Sequence, residues 1–152
     1  MTGASGYIAS LMLPALREHF DLVLADVTDT DRDGNKVNGV QTADFIDPDR
    51  SKYAHLFQDV DAVIHLAFKP HTPRGAHTEK PPIDRFDNEH ENIQMANNIY
   101  RSAYDAGVRR LAIASSNHAA DWYEHSLIHN REMDMVRPTD LPISDNFYGW
   151  AK

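Results

Sequence analysis

Apolar positions recur at helical spacing near the start of the chain, where Ile8, Leu11, Met12, Ala15, Leu16 and Phe20 fall on one face of a helix. Pro14 lies inside that pattern and predicts a kink or the loss of one backbone hydrogen bond. The continuous apolar run Leu22 to Ala25, ending at Asp26, reads as a strand buried on both faces. Residues 28–39 are turn formers and charges and read as a solvated loop. Val40 to Phe45 predicts a short strand, Ser51 to Gln58 a short helix, and residues 61–67 another buried strand. From Lys69 to Asp87 four prolines and several charges carry no apolar period, which predicts a long exposed excursion. Ile93, Ala96, Ile99, Ala103 and Tyr104 then mark the inner face of a helix over about residues 88–106, with Gly107 placed to stop it. Arg110 to Ser115 reads as a strand, residues 119–147 as irregular, and Tyr148 to Lys152 as the opening of a helix.

Strands alternating with helices imply right-handed crossovers and a parallel sheet covered by helices on both faces. Ligands bind such sheets at the carboxyl ends of the strands, where Gly3, Asp26, Asp44, Ala67 and Ser115 converge. A length of 152 residues suits one domain, residues 1–152. The formal charge of −8, without any run of Lys and Arg, argues against a nucleic-acid partner. No stretch approaches the length of an apolar membrane span and no leader pattern opens the chain, so a cytoplasmic protein with no membrane partner is expected. With no cysteine, disulfides, thiolate zinc sites and thiol nucleophiles are excluded. Nine histidines include His125 and His129 at helical spacing, but Ser126 follows the first where a zinc-protease helix carries Glu, and no metal is expected.

The opening turn, Thr2-Gly3-Ala4-Ser5-Gly6-Tyr7-Ile8-Ala9, leads into a helix N-terminus, whose unpaired N–H groups attract a pyrophosphate if no side chain blocks the approach. Gly3 and Gly6 remove such blocks, and Ser5, Tyr7 and Ile8 complete the candidate cradle. Asp26 follows Gly3 by 23 residues, at the next strand end, where a carboxylate accepts the ribose hydroxyls beside Val27 and repels a 2′-phosphate. Together they point to NAD. Tyr148 and Lys152 stand one helical turn apart. A phenol titrates near pH 10, so a neighbouring cation is needed before it can act as a base near neutrality.

These residues, with Ile64-His65-Leu66-Ala67 and the order in which all of them occur, resemble the extended short-chain dehydrogenase/reductase family, the NAD-dependent epimerase/dehydratase group. The resemblance spans essentially the whole chain and implies a Rossmann-type, doubly wound α/β sheet. It also implies that Asp44 and Phe45 contact adenine and that Leu66, Ala67 and Phe68 lie beside the cofactor. Asn92 would help seat Lys152, and Ser115 would border the cofactor with Tyr148 and Lys152. Ser116, Tyr148 and Lys152 would be catalytic, the phenol taking a hydroxyl proton while hydride passes to NAD. Within the family, Ser115-Ser116-Asn117-His118 is similar to the string of uronate dehydrogenases, in which Asn and His help bind the substrate. Ser116, Asn117 and His118 are therefore the substrate candidates, for a sugar or sugar acid. Sugar-nucleotide dehydratases place an Asp-Glu pair where Asn117 and His118 stand, which disfavours dehydration. A nucleotide-sugar epimerase and a non-catalytic NAD-binding regulatory module remain as alternatives.

Family members begin with an apolar strand before the Thr-Gly and continue for a comparable length past the Lys. Here only Met1 precedes Thr2 and the chain ends at Lys152. An incomplete sheet is expected, without its first strand and without the later substrate part, and with two strand edges unpaired. The resemblance implies a homo-oligomer for the full-length protein.

Overall fold

A computed structural model of the chain describes residues 1–70 and 82–152. The chain forms two compact units, one of residues 1–68 and 94–114, the other of residues 69–93 and 115–152.

The first unit holds four parallel strands, β1 (Leu24–Asp26), β2 (Val40–Thr42), β3 (Ala62–His65) and β4 (Arg110–Ile113). β1 pairs with β2 and β3 with β4. Thr2 joins the pairs, bridging Ala25 on one side and His65 on the other in parallel register. Thr2 N donates to Ile64 O at 2.9 Å, Leu66 N to Thr2 O at 3.2 Å, and Ala25 N to Met1 O at 2.9 Å. The strand order is thus β2-β1-Thr2-β3-β4, the doubly wound order with a two-residue stub at its centre. The expectation of two wholly unpaired edges is corrected accordingly, because Met1 and Thr2 are enough to carry the ladder across the gap. β1 is shorter than the apolar run that predicts it, since its partner β2 begins only at Val40, opposite Leu24.

Helix α1 (Tyr7–His19) runs through Pro14 without interruption. Its Ala9 and Leu13 join Ala4 and Leu24 in one buried cluster, against which Leu66 rests. Ala25 and Val63 belong to a second cluster, with Met95, Ile99 and Ala103 of helix α2 (Pro82–Asp105). Adjacent residues of β1 point to opposite faces, so α1 and α2 cover opposite sides of the sheet. Phe45, Tyr53 and Phe57 complete the second cluster edge to face, with centroids 5.0 and 6.2 Å from Phe45. Contacts of this geometry add about 0.5–1.5 kcal/mol each beyond burial.

α2 starts six residues before the expected Asn88. Proline is tolerated in a first helical turn, where its missing N–H has no partner to lose. The remainder of the predicted excursion, residues 71–81, lies outside the described residues. Gly107, at φ +74, ends α2 with Gly107 N donating to Tyr104 O and Val108 N to Ala103 O, a Schellman-type close. Residues 50–57 form two short 3₁₀ turns where a short helix is expected. Within residues 119–147, expected to be irregular, and just before them, the chain forms successive tight turns: a 3₁₀ turn (Asn117–Ala120), α3 (Asp121–Tyr123) and a π turn (Glu124–Ile128). The second unit ends in α4 (Phe147–Trp150). Among the described residues no helix is long and apolar enough to cross a membrane.

Gly3 sits at φ +70, and a β-carbon there would meet Ala67 N at 2.5 Å and the Leu66 carbonyl carbon at 2.6 Å. Gly39 sits at φ +84 with nothing near its missing β-carbon. Gly39→Ala should therefore cost only the backbone term, about 1 kcal/mol, and Gly3→Ala at least about 3 kcal/mol, because two backbones must separate. Urea unfolding of the two variants checks this, and equal losses would remove the claimed contact.

Candidate functional site

In the first unit the glycine turn and the end of β1 are locked together. Ser5 N donates to Asp26 Oδ2 at 2.9 Å, Val27 N to Asp26 Oδ1 at 2.7 Å, and Ser5 Oγ to Thr28 O at 2.7 Å. Gly6 is the N-cap of α1, with no side-chain cap and no acid in the first turn, so the positive helix end is neutralised by nothing on its own helix. A β-carbon at Gly6 would lie 3.1 Å from Gly3 O. Ala4 N and Gly6 N are taken by Ala25 O and Gly3 O, so it is the first N–H groups of α1 itself, which carry no side-chain cap, that fit a pyrophosphate. Tyr7, Ile8 and Val27 are exposed around the turn, and the Arg32 guanidinium lies 4.6 Å from the Tyr7 ring centroid.

Asp44 and Phe45 lie just past β2. Asp44 Oδ1 accepts from Ile46 N at 2.9 Å, while the Phe45 side chain is only 3% exposed and faces the core. An approach to adenine at Phe45 is left to its backbone. Leu66 and Ala67 meet Gly3 at the end of β3, with Phe68 following half-buried.

In the second unit Asn92 grips the backbone of Lys69, accepting from Lys69 N at 2.8 Å and donating to Lys69 O at 3.0 Å, while Asn88 donates to the same carbonyl at 2.9 Å. Asn92 also donates to Oε2 of Glu89 at 3.0 Å, an acid only 1% exposed. Burial lowers the Lys152 ammonium below its ordinary value and the Glu89 charge partly offsets this. Lys152 Nζ lies 5.5 Å from the Tyr148 ring centroid, a cation over a phenol face. Ser115 Oγ donates to Lys152 O at 3.2 Å. Ser116 caps the following turn, accepting from His118 N at 3.3 Å, and its hydroxyl reaches Asn117 Oδ1 at 3.4 Å. The His118 ring stands 5.4 Å from that of Tyr148, edge to face.

Ser115, Ser116, Asn117, His118, Tyr148 and Lys152 thus gather in one unit. Four further members of that unit escape sequence reasoning: Asn88, Glu89, Asp121 and Asn146. Asp121 follows His118 by three residues, a spacing that signals contact only in a helical segment, and the stretch carries no apolar period. Of the paired histidines, His125 Nδ1 meets Asp145 Oδ2 at 2.6 Å and His129 Nε2 lies 3.5 Å from Glu124 Oε1. Among the described residues no three metal-ligating side chains are grouped to hold an ion.

The whole chain, residues 1–152, matches the model of the NAD dependent epimerase/dehydratase family. It is 29% identical to an NAD-dependent glucose-6-phosphate dehydrogenase of Haloferax volcanii, over all of this chain and 57% of that protein. It is 28% identical to a uronate dehydrogenase of Pseudomonas syringae pv. tomato, over all of this chain and 49% of that protein. The chain spans about half the length of the curated relatives it matches. Among solved structures, a mutated uronate dehydrogenase superposes with a TM-score of 0.71 at 25% identity, over 99% of this chain and 48% of that one.

Hydrogen bonding to Asp145 raises the His125 imidazole above its ordinary value, and bonds from Asn146 and His125 lower Asp145. A raised imidazole contributes stability below the unfolded value of about 6.5 and loses it as pH rises through the folded value. A lowered carboxyl contributes above its unfolded value and loses this as pH falls through its folded one. Amide protection factors over residues 145–150 should therefore fall several-fold as pH rises from about 6 to about 8. Hydrogen exchange on the wild type and His125→Gln checks this, since the variant should lose the dependence.

Proposed function

The chain belongs to the NAD-dependent epimerase/dehydratase family, and we propose that it is the cofactor-binding part, residues 1–152, of an NAD-dependent oxidoreductase acting on a hydroxyl of a sugar or sugar acid. NAD is the cofactor of the family, and when bound it accepts the hydride. The glycine turn holds the phosphates, and Asp26, already fixed by Ser5 N and Val27 N, faces the adenosine ribose. Asp44 and the Phe45 backbone border the adenine. Leu66, Ala67 and Phe68 line the strand end, with Asn92 shaping the backbone that follows.

The observation that carries the reading is the cluster of Tyr148, Lys152, Ser116 and His118 in one unit. The Tyr148 hydroxyl takes the proton of the substrate hydroxyl as the carbon gives up hydride. Lys152 stabilises the negative charge that develops on the phenol oxygen, and its half-buried position strengthens this by excluding water. Ser116 hydrogen-bonds the reacting oxygen, and Asn117 and His118 hold neighbouring hydroxyls. The relatives named as sugar dehydrogenases support a sugar substrate. For the protein carrying this chain, assembly into a homo-oligomer and a cytoplasmic location belong to the same proposal.

Titration of the protein with NAD, and NADH absorbance with glucuronate and NAD, test it. Tyr148→Phe should lower turnover by at least about 100-fold, as loss of a positioned base does, with NAD affinity nearly unchanged. Asp26→Ala should weaken NAD instead. Turnover that survives Tyr148→Phe would refute the base, and substrate conversion without NADH accumulation would mark an epimerase.

A further inference from the structure

Asp121 is buried, 5% exposed, in a segment that the proposed chemistry leaves unused. Its Oδ2 receives two contacts, one from His118 Nδ1 and one from Asn146 Nδ2 at 2.9 Å. The Asn146 amide is oriented by its other bonds. Its Oδ1 accepts from Gly149 N at 2.8 Å, capping α4, and its nitrogen also donates to Asp145 Oδ1 at 2.9 Å. With the amide nitrogen turned toward Asp121, Oδ2 is an acceptor, and an ionised carboxylate, which has no proton to give, makes the partner at His118 Nδ1 the donor. The ring proton is assigned to Nδ1 of a side chain that is 49% exposed and whose acid partner is buried.

The same acid sets where Tyr148 stands. Through Asn146 it anchors the first turn of α4, and Trp122 N donates to Ile143 O at 3.2 Å beside it. A β-carbon on Gly149 would fall 1.9 Å from His118 O, so α4 lies directly on the backbone of His118, with no room for a side chain between them. One carboxylate therefore ties the imidazole to the helix turn that carries the phenol.

We propose that Asp121 is the positioning residue of this site: it fixes His118 with the proton on Nδ1 and, through Asn146, holds Tyr148 against it, so that Nε2 of the neutral ring accepts a hydrogen bond from a substrate hydroxyl. The catalytic consequence rests on the function proposed above, whereas the tautomer does not. A sugar hydroxyl, which has a proton to give, fits a bare Nε2, and a carboxylate, which has none, does not.

Long-range proton–nitrogen correlation spectra of ¹⁵N-labelled protein above pH about 8, where imidazoles are neutral, read the tautomer, with the signal assigned by its loss in His118→Gln. The wild type should show a protonated Nδ1 and a bare Nε2. Asp121→Asn, whose amide oxygen can take the place of Oδ2, should keep that tautomer and most of the NADH formation with glucuronate. Asp121→Ala should move the proton to Nε2 and lower kcat by about 100-fold, as misplacement of reacting groups does, with NAD affinity unchanged. A wild-type ring protonated on Nε2 overturns the proposal, as does an Asp121→Ala protein that keeps both tautomer and turnover. If Asp121→Ala does not fold, the wild-type and Asp121→Asn spectra decide alone. If the wild type forms no NADH from sugars or sugar acids, the proposed function falls and the tautomer still decides for or against Asp121.

Discussion

Gly3 and the Leu66–Ala67 backbone approach so closely that no β-carbon fits between them, and Gly3 also needs a left-handed backbone that side chains resist. That approach brings the opening turn onto the end of β3 while Thr2 bridges Ala25 and His65. The start of α1, the carboxylate of Asp26 and the tip of β3 are consequently gathered at the carboxyl ends of the central strands. An uncapped helix end beside a carboxylate fixed by two backbone amides is compatible with a phosphate and a ribose. A packing constraint at one residue thus positions the turn that the proposed function assigns to the phosphates.

The two units are stabilised differently. Among the described residues both buried apolar clusters belong to the first unit. In the second, the buried residues include Asn88, Glu89, Asn92 and Asp121, each engaged with polar partners. Hydrophobic burial is non-directional and stabilises a sheet well, but it does not set the angle of a side chain. Directional polar networks do, although each member becomes costly if its partner is lost. The residues proposed for chemistry belong to the unit built in this second way.

Periodicity made the scaffold legible. The opening helix, the strand ending at Asp26 and the stop at Gly107 all follow from local spacing and turn chemistry, which act over a few residues, whereas the strand expected over 61–67 is paired only over Ala62–His65 and Tyr104, expected on the inner face, is 79% exposed. The contact of Asp26 with the opening turn is readable for the same reason, since the end of β1 lies beside that turn. Phe45 shows where this fails: its side chain is drawn into the core by Tyr53 and Phe57, beyond what its position past a strand reveals. Asn88 and Glu89 were hidden because the helix was expected to begin only at residue 88, with no turn before it. Asp121 and Asn146 meet across 25 residues of turns without apolar period, and no local pattern encodes that contact.

The geometry around Asp121 also bears on which chemistry of the family suits this chain. Elimination of water from a sugar requires an acid that hands a proton to the leaving hydroxyl and a base that collects one. Asn117 and His118 stand where such a pair is expected, and Asp121 is the acid beside them. Its Oδ2 is already occupied by His118 and Asn146, and the side chain is buried. A proton delivered from there would first have to break the contacts that hold α4 and its phenol in place. Hydride transfer makes no such demand, because one proton leaves through a phenol and the hydride leaves directly. The contacts that tie Asp121 to His118 and to the first turn of α4 are therefore the same ones that keep it from delivering a proton, which accords with the proposed oxidation of a hydroxyl more readily than with loss of water.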